Sequence, residues 1–310
     1  MNETTAKFQP ASDLLRDWRG DVLSGTPPTF YPIGNGDLAR IEIGPKLVTL
    51  IGGGPGAGKT AFTMQATIDA LRLTPDLRAV VCNIEMPPAV LLDRQLARLS
   101  GVDLKTIRYR RLGPEHANRI ETAMATFEPA CERLAFVRPP FNLANVAATA
   151  DAFNAGLIVL DYIQRIAPPG DHGDSRSAVD STMDFIRKIA DQGVAVIIVA
   201  AVSRSKDSRG RSTYDTDSLN LASFRESSEL EFGADDAFIL GREGEDSSNV
   251  ILKHLKSRHG ECRDISLNFN GAIQRFTATD TAPAPQNAQV ELQGLWLQES
   301  PGNPNERGRR

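Results

Sequence analysis

Between the apolar run LVTLI and the amphipathic stretch AFTMQATIDALRL lies GGGPGAGKT, Gly52 to Thr60. From Gly53 the spacing is G-x-x-x-x-G-K-[ST]. Gly53, Gly54, Gly56, Ala57 and Gly58 carry almost no side chain, so consecutive backbone N–H groups can turn inward on an anion. A helix starting near Gly58, with Ala61 in its first turn, adds the positive end of its dipole. Lys59 is then placed to reach β- and γ-phosphates, and the Thr60 hydroxyl to ligate Mg²⁺. The ligand this spacing predicts is a nucleoside triphosphate with its Mg²⁺.

Such a loop needs a buried strand before it and a helix after it, and the chain supplies both repeatedly. From Lys46 to about Phe276, short apolar runs alternate with helical segments, which predicts an α/β fold with a largely parallel sheet. LVTLIG, RAVVCNIE, RLAFVRP, LIVLDYIQRI and VAVIIVAAVSR are almost continuously apolar, as strands covered by helices on both faces must be. Helices are expected near Lys59 to Leu73, Pro88 to Leu99, Glu115 to Ala130, Asn145 to Phe153 and Ala178 to Gln192. DAFILGRE, NVILKHLKSRHG and RDISLNF follow closely with more alternation, which predicts antiparallel strands extending one edge.

In a parallel α/β sheet, ligands gather outside the carboxyl ends of the strands, so the residues at those ends are the candidates for chemistry. RAVVCNIE ends in Glu85, stopped by Met86-Pro87. Its carboxylate is a candidate to orient or deprotonate an attacking water. Leu157-Ile158-Val159-Leu160-Asp161 delivers an aspartate after four aliphatic residues, the pattern that holds Mg²⁺ beside a phosphate loop. VAAVSRSKDSRGRS continues into a loop with Arg204, Lys206, Arg209 and Arg211, which reads either as a grip on a nucleic-acid backbone or as a solvated surface. Lys256 and Arg258, at the end of NVILKHL, are either solubilising charges or cations that serve a neighbouring subunit's nucleotide.

Composition bounds these readings. The chain has 310 residues with 35 Lys+Arg against 39 Asp+Glu, a net charge of −4 that argues against a wholly basic nucleic-acid binder but not against a local basic lining. Cys82, Cys131 and Cys262 are widely spaced and show no metal pattern, as in a reduced cytoplasmic protein. No apolar run approaches the roughly 18 residues that span a membrane. Three segments are expected: an N-terminal linker or docking segment over 1–45, an ATPase domain over 46–277, and a mostly disordered tail over 278–310, interrupted by VELQGLWLQ. In the first, Leu14, Leu15, Trp18, Val22 and Leu23 share one helical face, as expected of a docking helix or of a surface helix packed on its own domain.

With these residues assembled, the segment from Lys46 to Phe276 resembles the RecA-like motor domain of DnaB-type replicative helicases, in that family's motif order. The phosphate loop matches in Gly53, Gly58, Lys59 and Thr60. NIEMPPAVLLDRQLARLSGVDLKTIRYRRL is similar to the family's segment around its catalytic glutamate, which implies that role for Glu85. LIVLDYIQRI resembles the metal-binding strand, with Asp161 followed by Tyr162 and Gln164. SLNLASFRESSELEFGADDAFIL, with Arg225-Glu226-Ser227, resembles the stretch before the late strands. LKSRHG resembles the lysine and arginine fingers that act across a subunit boundary, which implies those roles for Lys256 and Arg258. The resemblance implies a P-loop NTPase fold, ATP and Mg²⁺ as cofactors, a hexameric ring of identical subunits, and single-stranded DNA as partner.

Two departures stand out. Where the family's sensor strand carries a glutamine, this chain has Ala201, which cannot contact a γ-phosphate, with Ser203 and Arg204 as substitutes. The residues ahead of Lys46 leave no room for the family's helical N-terminal domain, and SDLLRDW is similar to the linker helix that packs on the next subunit. The leading expectation is a ring-forming motor on single-stranded DNA. A regulatory or loading ATPase that controls assembly without unwinding is the alternative, and a nucleotide-binding scaffold without catalysis is a third.

Overall fold

The computed structural model describes residues 9–168, 175–203, 205–206, 212–213, 219–224, 232–242, 244 and 248–279. Arg204, Arg209, Arg211, Arg225-Glu226-Ser227 and residues 280–310 lie outside them. The chain divides into two units, 1–30 and 31–310.

The first unit holds α1 (Ala11–Ser24), none of whose residues is buried. It stops where Gly25 turns left-handed at φ +66°, a conformation that glycine adopts without Cβ strain.

The second unit is built on nine strands in the order β11-β10-β9-β8-β1-β5-β4-β2-β3. They are β1 (Val48–Gly52), β2 (Ala79–Asn83), β3 (Leu134–Phe136), β4 (Leu157–Asp161), β5 (Ala195–Val199), β8 (Asp236–Arg242), β9 (Asn249–Ser257), β10 (Ile265–Asn270) and β11 (Arg275–Ala278). A separate two-stranded ribbon pairs β6 (Ser205–Lys206) with β7 (Ser212–Thr213). The helices are α2 (Lys59–Leu73), α3 (Pro88–Ser100), α4 (Leu104–Arg108), α5 (Ala117–Cys131), α6 (Leu143–Phe153) and α7 (Ser175–Asp191).

Strands β3, β2, β4, β5, β1 and β8 run parallel, and only β9 to β11 are antiparallel. This corrects the expectation for DAFILGRE. Its alternation suggested an antiparallel edge, yet β8 is parallel to β1, with Gly52 opposite Ile239, and is buried from Asp236 to Gly241. A buried inner strand and an edge strand were indistinguishable in so short a run. Strand β11, unforeseen, is fastened by Gln65 on α2, whose side chain donates to the Phe276 carbonyl (2.8 Å) and accepts from its N–H (2.9 Å).

Alternate strand residues feed two cores. Leu157 and Val159 face the side carrying Phe62, Ile68 and Leu71 of α2, Leu91 of α3 and Phe127 of α5, where Tyr31, Ile33 and Ile43 also pack. Ile158 and Leu160 face Val146 of α6 and Ile186 of α7. Every residue of β1, β4 and β5 is buried, which explains their unbroken apolar runs. Asp69 on α2 binds Arg98 on α3 (2.9 Å), tying together the helices that follow β1 and β2.

Candidate active site

Because β1, β2, β4, β5 and β8 are parallel, they all end on one edge of the sheet. Five segments leave that edge, and they enclose a cavity of about 500 Å³. The phosphate loop forms its floor. Gly53 has φ +154°, and a Cβ there would stand 2.5 Å from the Leu240 carbonyl oxygen. Gly58 has φ +99°, and a Cβ there would stand 2.9 Å from Phe276. Both glycines are therefore required by backbone conformation and by contact. Lys59 opens α2 and folds its Nζ back on the carbonyls of Gly53 (2.8 Å) and Gly54 (3.0 Å). Burial lowers its pKa, while Asp161 and Glu85 pull it back up.

Asp161 ends β4, 4% exposed. Burial raises its pKa, opposed by hydrogen bonds from Thr60 and Asn83 and by Lys59, and reinforced by Glu85. Asn83, opposite it at the end of β2, donates to Asp161 Oδ2 (2.6 Å) and accepts the N–H of Met86 (2.8 Å) on Oδ1. The turn carrying Glu85 is thereby pinned to the Asp161 carboxylate. Glu85 is exposed and lines the cavity beside Lys59, Thr60 and Asp161.

The donor set fits a Mg²⁺–polyphosphate. The loop is a cradle that a Cβ would fill, Lys59 rests on carbonyls it can exchange for phosphate oxygens, and Thr60 with Asp161 is a hydroxyl–carboxylate pair of hard oxygens.

Three polar cavity residues were not anticipated. Arg94, on α3, has a buried Nε with no hydrogen-bond partner among the described residues. Burial and then Arg108 lower its pKa, and Asp161 raises it. Arg242 ends β8 at the cavity and lies over the Phe269 ring at 5.7 Å. Gln274 comes from the turn before β11. A helical position and a late turn give no local sign of reaching a cavity that distant segments build.

Ala201 also lines the cavity. Its backbone is gripped by Gln164, which donates to its carbonyl and accepts from its N–H, both at 3.2 Å. Ser203, one of the two substitutes considered, commits its N–H (2.7 Å) and its hydroxyl (3.0 Å) to the Ser223 carbonyl. Lys206 lies in the backbone of β6.

Lys256 and Arg258 are elsewhere. Strand β9 runs antiparallel to β8, with Lys256 opposite Ala237 and Ser257 opposite Asp236, on the edge where β1 begins. Asp235 accepts the Arg258 N–H, and its own N–H bonds the Val48 carbonyl. Val48 is five residues before Gly53, roughly 16 Å along the strand.

The fold and this site define a RecA-like nucleotide-binding domain. The chain belongs to the DnaB-like helicase C terminal domain family, whose model matches residues 42–278. Among similar proteins, a probable plasmid replicative DNA helicase of Chlamydia trachomatis serovar L2 is 23% identical over 237 residues, covering 74% of this chain and 50% of that protein. The replicative DNA helicase DnaB of Pasteurella multocida is 26% identical over 255 residues, covering 77% and 53%. The chain thus spans about half the length of the curated relatives it matches. Of solved structures, one described as an ATPase domain superposes with a TM-score of 0.76 at 19% identity, over 88% of this chain and 100% of that one. A DnaB-like replicative helicase described with its primase interactions gives 0.73 at 20% identity, over 88% and 68%. No helix among the described residues is long and apolar enough to cross a membrane.

Proposed function

We propose that the chain is an ATP-hydrolysing, ring-forming motor acting on single-stranded DNA in the cytoplasm. One observation carries this reading. The groups suited to holding a nucleotide lie at one edge of the sheet, while Lys256 and Arg258 lie at the other, so a single copy is an incomplete site and a ring of copies completes it. The relatives' description as replicative DNA helicases favours DNA as the track. The exposed apolar face of α1, with Trp18 60% exposed, favours a segment that docks on a partner or a second copy.

The backbone N–H groups of Gly53 to Gly58 cradle the phosphates, and Lys59 exchanges the Gly53 and Gly54 carbonyls for phosphate oxygens. Thr60 and Asp161 would hold Mg²⁺, which would supply charge neutralisation to the polyphosphate. Glu85, steadied through Asn83, orients the attacking water and accepts its proton. Arg258 and Lys256 of the neighbouring copy stabilise the charge that develops in transfer. The basic loop after β5, with Arg204, Lys206, Arg209 and Arg211, is the candidate grip on the strand.

The test is ATP hydrolysis with Mg²⁺, with and without single-stranded DNA, beside Glu85→Gln. Turnover should rise with DNA and fall about 10²–10⁴-fold in the variant, with nucleotide binding retained. Equal, slow turnover with and without DNA would replace the motor by the nucleotide-controlled assembly switch.

A further inference from the structure

The short segment just before β8 holds both candidate finger cations. Lys256 Nζ donates to the carbonyls of Phe232 (3.1 Å) and Ala234 (2.8 Å). Arg258 donates through one terminal nitrogen to the Phe232 carbonyl (3.3 Å) and pairs through the other with Asp235 Oδ1 (2.8 Å). The second oxygen of Asp235 accepts from Arg187 on α7 (2.7 Å) and from the N–H of Val48 at the start of β1 (2.8 Å). The Asp235 side chain is 2% exposed and that of Arg258 is 42% exposed. A buried carboxylate, fixed at its other oxygen by the central strand and a helix, therefore grips a guanidinium that still reaches the surface.

We infer that Asp235 is the positioning residue for the Arg258 finger. The inference rests on the trans-finger reading proposed above. A long flexible cation stabilises transferred charge only if its guanidinium waits in one place, and a charge-assisted bond to a rigid, desolvated carboxylate supplies that place. The carboxylate touches no substrate; it acts through Arg258. A purely structural role is the competing account, because Asp235 also binds Arg187. The two accounts differ in what each partner's loss does. If Asp235 only fastens α7 to the sheet, removing Arg187 should harm turnover as much as removing the carboxylate. If it sets the finger, it should not.

The experiment measures steady-state ATP hydrolysis by the full chain with Mg²⁺ and single-stranded DNA, for Asp235→Asn, Arg187→Gln, Arg258→Ala and Glu85→Gln, singly and in mixtures. Asp235→Asn should lower kcat about 100-fold, the cost of a misplaced catalytic group, with KM for ATP within about threefold of wild type. Arg187→Gln should melt earlier yet keep kcat within about threefold of wild type. Mixing Asp235→Asn with Glu85→Gln should restore turnover above either alone, since the second protein lends an intact finger to the intact nucleotide site of the first. Should Asp235→Asn not accumulate as folded protein, Asp235→Glu keeps the charge but displaces it, and should lose roughly tenfold in kcat with the same recovery on mixing. The inference is overturned if these Asp235 variants turn over normally while Arg258→Ala does not, or if mixing restores nothing. Normal turnover by Arg258→Ala would instead refute the trans-finger reading itself.

Discussion

The two edges of the sheet use the same residue types in opposite ways. At the carboxyl edge, Asp161 is buried and Lys59 half-buried: burial pushes the aspartate pKa up and the lysine pKa down, and Lys59 leans on carbonyls. At the amino edge the charges close on one another. Asp235 binds Arg187, Arg258 and the Val48 N–H, and Asp236 meets His254 Nε2 at 3.1 Å. In the first arrangement the charges are met by neutral dipoles, the Asn83 amide and the Gly53 and Gly54 carbonyls, and in the second by opposite charges. A charge met only by neutral dipoles can exchange them for a ligand's charge, whereas a charge locked in an ion pair is held in place.

The largest effect that would break this contrast lies in the phosphate loop. Gly53→Ala forces a Cβ to within 2.5 Å of the Leu240 carbonyl at φ +154°, so the loop must move. Backbone strain of about 1–3 kcal/mol predicts a ten- to hundredfold loss of nucleotide affinity in a fluorescent-nucleotide titration. Gly56→Ala, at φ +76° with nothing within 4 Å, meets no contact and should lose less. Equal losses in the two would mean that the close approach of β8 to the loop is unimportant.

A smaller effect is expected at Gln164. Its amide mimics a strand neighbour for Ala201, so the end of β5 is held by a residue three positions beyond Asp161. Gln164→Ala removes two hydrogen bonds worth about 1 kcal/mol each. It should reduce DNA stimulation of hydrolysis several-fold while leaving basal turnover close to wild type. An unchanged stimulation ratio would show that the end of β5 needs no such splint.

Much of this molecule is readable from short-range pattern. The bounds of α2 match the helix expected from its period, and Asp161 at the end of β4 follows from an apolar run ending at a polar residue, whereas Glu85, expected at a strand end, sits in the turn after β2, which stops at Asn83. Those signals are local, arising from glycine spacing and from sheet faces that are both covered. What escaped is long-range. That β8 lies parallel beside β1 depends on a pairing across almost 190 residues, and that Arg94 and Gln274 reach the cavity depends on how α3 and the late hairpin are docked. Asn83 is intermediate: a strand-end asparagine two residues before Glu85 is visible, but its bond to Asp161 requires β2 and β4 to be neighbours.

The smallest expected effect separates the two edges most directly, because the same substitution should change stability in opposite directions. Asp161 has a folded-state pKa raised by burial, while in the unfolded chain its carboxyl titrates in the ordinary range. Between those two values the folded state binds more protons, so the stability associated with this group is present at low pH and lost as pH rises through the folded pKa. Above the folded-state pKa the ionised Asp161 therefore works against folding. Asp161→Asn should raise the melting midpoint of the nucleotide-free protein by a few degrees near pH 7, and the gap should close as pH falls toward the carboxylate range. Asp235→Asn should lower the midpoint, since it strips both Arg187 and Arg258 of a buried partner. Thermal melts of the two variants between pH 4 and 8 check this. If both lower the midpoint at neutral pH, the carboxyl edge is no more strained than the amino edge, and an open binding site opposite a closed finger mount is the wrong description of the sheet.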